Sequence, residues 1–315
     1  MKKGVAGLIA LILVMVLPMT ISAQGSEEDN GVITIGAAMS SFADKGQTYL
    51  QEGIRNFDAE HDDLTIVMTD AKDDAAVQLN QVETLLTKGV SAIVIVPVDI
   101  SALEPIFAKV KEDNVKLIIA NRMPDEKYND LYDVYTGSES IKAGILQAEW
   151  VAEALQPDGG KVGIIMGTLG QEASRKRTEG VEQVFAEYDN IEVVESAVGK
   201  WDRALGMTIT ENWLQRDEPL AAICSNNDEM AIGAILATQG AGIKDSDIII
   251  AGIDATPDAL VYLGEGLDVT VYQNMIAQGY NGAKAAYDLV KGNEVEKWNW
   301  IPFEIVTEEN MENYK

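Results

Sequence analysis

The sequence predicts an α/β protein made of two doubly wound parallel-sheet lobes joined by a multi-strand hinge. Three observations carry this: short strand candidates that are apolar throughout, longer segments of helical period between them, and two successive series of that alternation within 315 residues. In the first series, strands are expected at 32–38, 64–68, 92–96 and 116–120, with helices at 48–60, 75–88 and 102–113. Val77, Leu79, Val82, Leu85 and Leu86 fall largely on one face of the second of these helices. Strands that do not alternate with polar residues are buried on both faces, as in a parallel sheet covered by helices on each side. The second series places strands at 162–166, 191–198, 221–225 and 248–253, and helices at 141–155, 173–188, 205–216 and 229–239. After Gly264 there remain a strand at 269–273, a helix at 276–291 and a last strand at 301–306, too few for a third domain. They must complete the lobes, so the chain crosses between them more than once. The expected lobes are 31–137 plus 274–300, and 138–273 plus 301–315.

Residues 1–25 read as a signal peptide rather than as part of the fold. Lys2 and Lys3 precede the apolar run 8–17, Pro18 interrupts its end, and small residues follow at Ser22, Ala23 and Gly25. The run is shorter than the ~20 residues of a spanning helix. Cleavage near Ala23 or Gly25 and export to the periplasm are expected, with no cysteine near the cut to carry a lipid.

Lys and Arg number 24 against 51 Asp and Glu, a formal net charge of −27. Nucleic acid and anionic membrane surfaces are poor partners for such a chain, because phosphate contacts need clustered cations. The single cysteine, Cys224, cannot form an internal disulfide and sits in an apolar run, where a buried inert thiol is expected. His61, the single histidine, lies among acids and reads as a solvated surface residue. No G-x-S-x-G elbow, phosphate-binding loop or H-E-x-x-H motif occurs, so an enzyme finds little support and no cofactor or metal is expected. A glycosidase-type carboxylate pair stays open as a weaker alternative.

Several strand candidates end in groups able to hydrogen-bond a neutral ligand. The run 116–120 leads into Asn121 and Arg122, the 221–225 run into Asn226, Asn227 and Asp228, and 248–253 into Asp254. The 269–273 strand ends at Gln273, and the first strand leads through Ser40, Ser41 and Phe42 to Asp44. Taken singly, Asn or Asp after a strand is more often a helix cap. Five such ends from both lobes point further, to a crevice at the strand carboxyl ends. Carboxylates accept from sugar hydroxyls, guanidinium donates in a fixed fork, and amides do both. Trp201 and Phe42 are the aromatic candidates for the C–H face of a sugar ring.

These segments resemble the type I sugar-binding family of bacterial periplasmic proteins, typified by the ribose and galactose binders. The likeness covers about 32–306. It is most specific at 225–234 (Ser-Asn-Asn-Asp-Glu-Met-Ala-Ile-Gly-Ala), at 252–258, at Arg177-Thr178-Glu179-Gly180 and at Lys200-Trp201-Asp202-Arg203. The resemblance implies ligand contacts from Asp44, Asn121, Arg122, Arg177, Asn227, Asp254 and Gln273, with Trp201 stacking on the ring. It also implies two lobes closing on a monosaccharide or polyol, and docking of the closed form on the membrane permease of an ABC importer. A chemoreceptor is a further partner such proteins can serve, and a monomer is expected. Three departures stand out. The first-lobe stacking aromatic falls near Gly46 or Gln47, leaving Phe42 as its substitute. Gln171 stands where the galactose binder has histidine. The short segment 156–160 replaces that protein's calcium loop, so no structural calcium is expected. A ligand other than glucose or galactose follows, with inositol, another cyclic polyol or a furanone-type signal kept as alternatives.

Overall fold

The computed structural model describes residues 1, 31–216 and 219–315. The expected signal segment 2–25 therefore lies outside the described residues. In chain order the elements are β1 (Ile33–Met39), α1 (Lys45–Ala59), β2 (Leu64–Asp70), α2 (Ala75–Thr87), β3 (Ala92–Ile95), α3 (Glu104–Glu112), β4 (Lys116–Ala120) and β5 (Val134–Gly137). There follow α4 (Ser140–Ala154), β6 (Gly160–Met166), α5 (Glu172–Phe185), β7 (Ile191–Val198), α6 (Arg203–Trp213), β8 (Ala222–Ser225), α7 (Asp228–Gly240) and β9 (Ile249–Ala251). The last are α8 (Pro257–Leu260), β10 (Thr270–Gln273), α9 (Met275–Val290), β11 (Trp298–Trp300) and β12 (Phe303–Val306).

One parallel sheet has the order β11-β5-β4-β3-β1-β2, and a second has the order β7-β6-β8-β9. The antiparallel pair β10–β12 is attached to the second sheet by bridges from Val269 to Ala251 and from Tyr272 to Asp254. Two separate parallel sheets are thus present, as the two-lobed fold class requires. The apolar strand runs are buried as anticipated: Ile93, Ile95, Ile118 and Ile119 in one lobe and Ile164, Ile165, Ile223 and Ile250 in the other are sealed from solvent. Cys224 is fully buried, and burial pushes its thiol far above the usual range. His61 differs from expectation. It is half-buried and stacked on Phe57 at 4.2 Å, because the end of α1 folds its ring back onto the helix.

Two further differences concern strands. β5 is too short and too polar in its flanks to stand out in the sequence. The expected final strand 301–306 is found as β12 (Phe303–Val306), paired with β10 beside the second sheet, and it is preceded by an unanticipated short strand, β11 (Trp298–Trp300), which pairs with β5 in the first sheet. Pro302 separates the two: it has no N–H to continue a ladder, and the chain changes sheet there.

The helices α4 and α5 cross so closely that each carries a glycine at the contact. A Cβ on Gly144 would lie 2.0 Å from the Arg177 carbonyl oxygen, and one on Gly180 would lie 2.4 Å from that of Ile141. The missing methyl groups allow α5 to seat where its Arg177 side chain reaches the strand ends. Gly144→Ala is expected to destabilise the fold by about 1–3 kcal/mol through overpacking, read as a lower urea midpoint with little change in slope.

Candidate functional site

The strand carboxyl ends of both sheets open onto one cavity of about 800 Å3, within the range of small-molecule sites. Asp44, Asn121, Arg122, Gln171, Arg177, Trp201, Asn227, Asp254 and Gln273 all line it. Phe42 does not. Its backbone N–H donates to Asp70 Oδ1 at 3.0 Å, and the side chain is exposed outside the cavity wall, so the expected substitution for the missing first-lobe aromatic is corrected. The apolar surface at that position is provided instead by Met275 at the start of α9. Its Cε and Sδ occupy the space where a Gly46 Cβ would lie 2.7 and 2.8 Å away.

Several lining residues cap helices as well as face the cavity. Asp44 Oδ1 accepts from Gln47 N at the start of α1, and Asn227 Oδ1 accepts from Met230 N at the start of α7. Capping uses one acceptor; the other polar atom of each side chain meets a cavity residue, Asp44 Oδ2 at 3.7 Å from Arg122 and Asn227 Nδ2 donating to the Trp201 carbonyl at 3.5 Å. The capping and ligand-facing readings of these residues are therefore compatible.

Each lobe brings a buried arginine paired with an aspartate to the cavity. In the first, buried Arg122 donates to the carbonyl of Pro97 at 2.8 Å and lies 3.7 Å from Asp44 Oδ2. Burial lowers the Arg122 pKa, while Asp44 and Asp73 hold it up. Asp73, which sequence reasoning missed, also lines the cavity; burial raises its carboxyl above the ordinary range against the pull of Arg122. The Asp73-Asp74 pair directly after β2 is the signal that could have found it.

In the second lobe, buried Arg177 donates through Nη1 to the Asn226 carbonyl at 2.6 Å and through Nη2 to Gln273 Oε1 at 2.8 Å, with Asp254 Oδ1 3.5 Å away. Its guanidinium also sits 5.7 Å from the Trp201 ring centre. Burial holds the Asp254 carboxyl well above the usual range; Arg177 pulls it down, and Asp228 and Asp44 push it up. The Trp201 indole N–H donates to Gln171 Oε1 at 2.7 Å, which fixes the ring. A Cβ on Gly167 would overlap that ring at 2.0 Å.

Five lining residues other than glycine hold a positive φ: Asp73 (58°), Asn121 (64°), Lys200 (53°), Trp201 (66°) and Asp254 (129°). Such conformations cost of order 1–3 kcal/mol each and persist where surrounding structure enforces them. Across the mouth, Lys45 Nζ at the start of α1 meets Asp258 Oδ2 in α8 at 3.2 Å. Asp258 is in turn 3.7 Å from Arg203, which is bidentate to Glu229.

The chain matches the periplasmic binding protein domain over residues 35–294. It belongs to that family. A protein of Rhizobium meliloti named for rhizopine binding is 35% identical over 100% of this chain and 99% of its own length. The ribose import binding protein of Bacillus subtilis (strain 168) is 28% identical over 98% of this chain and 100% of its own. Among solved structures, an ABC transporter solute binding protein from Bacillus halodurans C-125 with bound myo-inositol is 41% identical, with a TM-score of 0.86, covering 91% of this chain and 98% of that one. Members of this family bind substrates for transport and are not enzymes, and in this chain His61 lies outside the residues lining the cavity.

Arg177→Met is expected to leave the buried Asp254 carboxyl without its cation and to lower stability by about 3 kcal/mol or more. Chemical denaturation measures this, and adding Asp254→Asn should recover part of the loss. Full stability in the single variant would show that the pair is not coupled.

Proposed function

We propose that this chain is the extracytoplasmic binding component of an ABC importer and that it closes on one neutral, hydroxyl-rich ring, a monosaccharide or cyclic polyol. The observation that carries the reading is the convergence of an arginine–aspartate pair from each lobe on one cavity, joined there by the Trp201 ring. Guanidinium groups donate to hydroxyl oxygens, carboxylates accept hydroxyl protons, and the indole face covers the C–H surface.

Within that class a cyclitol is favoured over a pyranose sandwiched between two rings. The first-lobe wall offers the Met275 thioether and the Gly46 backbone rather than an aromatic face, and polar groups ring the cavity from both sides. The inositol-bound relative from Bacillus halodurans supports the same choice. Asp44, Asn121, Arg122, Gln171, Arg177, Trp201, Asn227, Asp254 and Gln273 are the proposed contacts. The moving bodies are residues 31–137 with 274–300 and residues 138–273 with 301–315. A cleaved segment at 1–25, a monomeric state and a permease partner complete the reading.

Inositols, pentoses, hexoses and sugar alcohols, each screened by thermal shift and titration calorimetry, test it. A bound ligand at a hundredfold excess over its Kd stabilises by about 2.7 kcal/mol, a readily measured shift. If no member of the panel moves the midpoint, the proposed ligand class is wrong.

Asp254 adds a dependence on pH. Hydroxyl donors favour the charged carboxylate, so binding lowers a pKa that burial has raised and releases a proton. Affinity should therefore rise with pH up to the carboxyl's ligand-free pKa and fall by up to about tenfold per unit below it. Calorimetry in buffers of different ionisation enthalpy reads the proton, and Asp254→Asn should abolish its release.

A further inference from the structure

Tyr135 lies in β5, fully buried, and is not among the residues lining the cavity. Its hydroxyl nevertheless reaches the cavity wall from behind. Oη donates to the Asn121 carbonyl at 3.0 Å and lies 3.5 Å from that of Ser138, where the chain leaves the first sheet. A phenylalanine would fill the same apolar space, and burying a hydroxyl is costly unless it is bonded. The oxygen therefore has a specific partner to serve.

That partner is a strained residue. Asn121 sits at φ 64°, directly after β4, with its N–H donated to the Thr136 carbonyl at 2.9 Å. In this conformation its side chain lines the cavity, where Nδ2 donates to Gln278 Oε1 at 2.8 Å and Oδ1 is 3.5 Å from Gln47 Nε2. The neighbouring backbone is cleared for the contact. A Cβ on Gly137 would lie 2.3 Å from Tyr135 Oη and 2.6 Å from its Cζ, so any side chain there would push the phenol off its bond. On its other side the Tyr135 ring packs against Trp300 (5.2 Å) and Trp298 (6.3 Å) of β11, the strand that precedes a crossing into the other sheet.

We infer that Tyr135 is a positioning residue for ligand binding: through its hydroxyl it holds the backbone of Asn121 in the left-handed conformation that presents the amide to the cavity, in a space left open by Gly137. The inference rests on the reading that Asn121 touches ligand. Burial also holds the phenol well above its ordinary pKa.

The test compares wild type, Tyr135→Phe, Asn121→Gly and the double variant, with myo-inositol and D-ribose as probes. Tyr135→Phe is expected to weaken calorimetric affinity by about tenfold, the effect of one lost buried donor, with the ligand-free melting midpoint reporting any global loss separately. Glycine adopts a positive φ without strain, so in the Asn121→Gly background the Phe substitution should cost nothing further. Unchanged affinity in Tyr135→Phe, or an equal loss in both backgrounds, overturns the proposal. If neither probe binds wild type, the ligand reading is what fails. The Asn121 backbone NMR shifts of the ligand-free protein then decide the Tyr135 role: they move in Tyr135→Phe if it holds and stay put if it does not.

Discussion

The site depends on holding the Arg177 guanidinium and the Asp254 carboxyl together while both are removed from water. A lone buried guanidinium or carboxylate is costly, and a pair recovers that cost only when its remaining hydrogen bonds are met. Here the Asn226 carbonyl and the Gln273 amide take two of the arginine's donors, which is why three strand ends must arrive at one point. The α4–α5 glycine contact serves the same end, since it sets the depth at which Arg177 enters. Stability and recognition are therefore not separable at this position. The groups proposed to contact a ligand are the groups that hold the second lobe's loops together.

The first lobe solves the same problem differently. Arg122 donates to the Pro97 carbonyl and pairs with Asp44 at 3.7 Å, with the charge of Asp73 also acting on it. Its guanidinium is thus fixed in place by groups of its own lobe. Added hydroxyl acceptors at this wall would satisfy it at small cost in reorganisation.

Much of this was legible in the sequence because a doubly wound sheet delivers its strand carboxyl ends to one edge. Once the apolar runs are read as buried parallel strands, Asn121, Asn227, Asp254 and Gln273 must gather there whatever their individual roles. What was not legible has a physical reason in each case. The direction of Phe42 is decided by a bond from its own backbone to Asp70, a contact 28 residues distant that no local pattern encodes. Met275 covers Gly46 only after α9 has packed on α1. β11 is only three residues long, Trp298-Asn299-Trp300, and its pairing with β5 is a long-range contact that no local pattern encodes.

The cleft's electrostatics bear on what drives its closure. Bringing the lobes together moves Asp44 toward Asp254, and the raised carboxyl of Asp254 records that repulsion together with its burial. Lys45 and Asp258 meet across the same mouth with opposite sign, but both side chains are more than 40% exposed, and an exposed pair contributes at most about 1 kcal/mol. Such a contact can offset part of the repulsion and cannot dominate it. In the proposed reading, hydroxyls bonded to both lobes at once would favour the closed form by their differential affinity for it. A ligand that reached only one arginine–aspartate pair would bind without closing the cleft, because it would have no greater affinity for the closed form than for the open one.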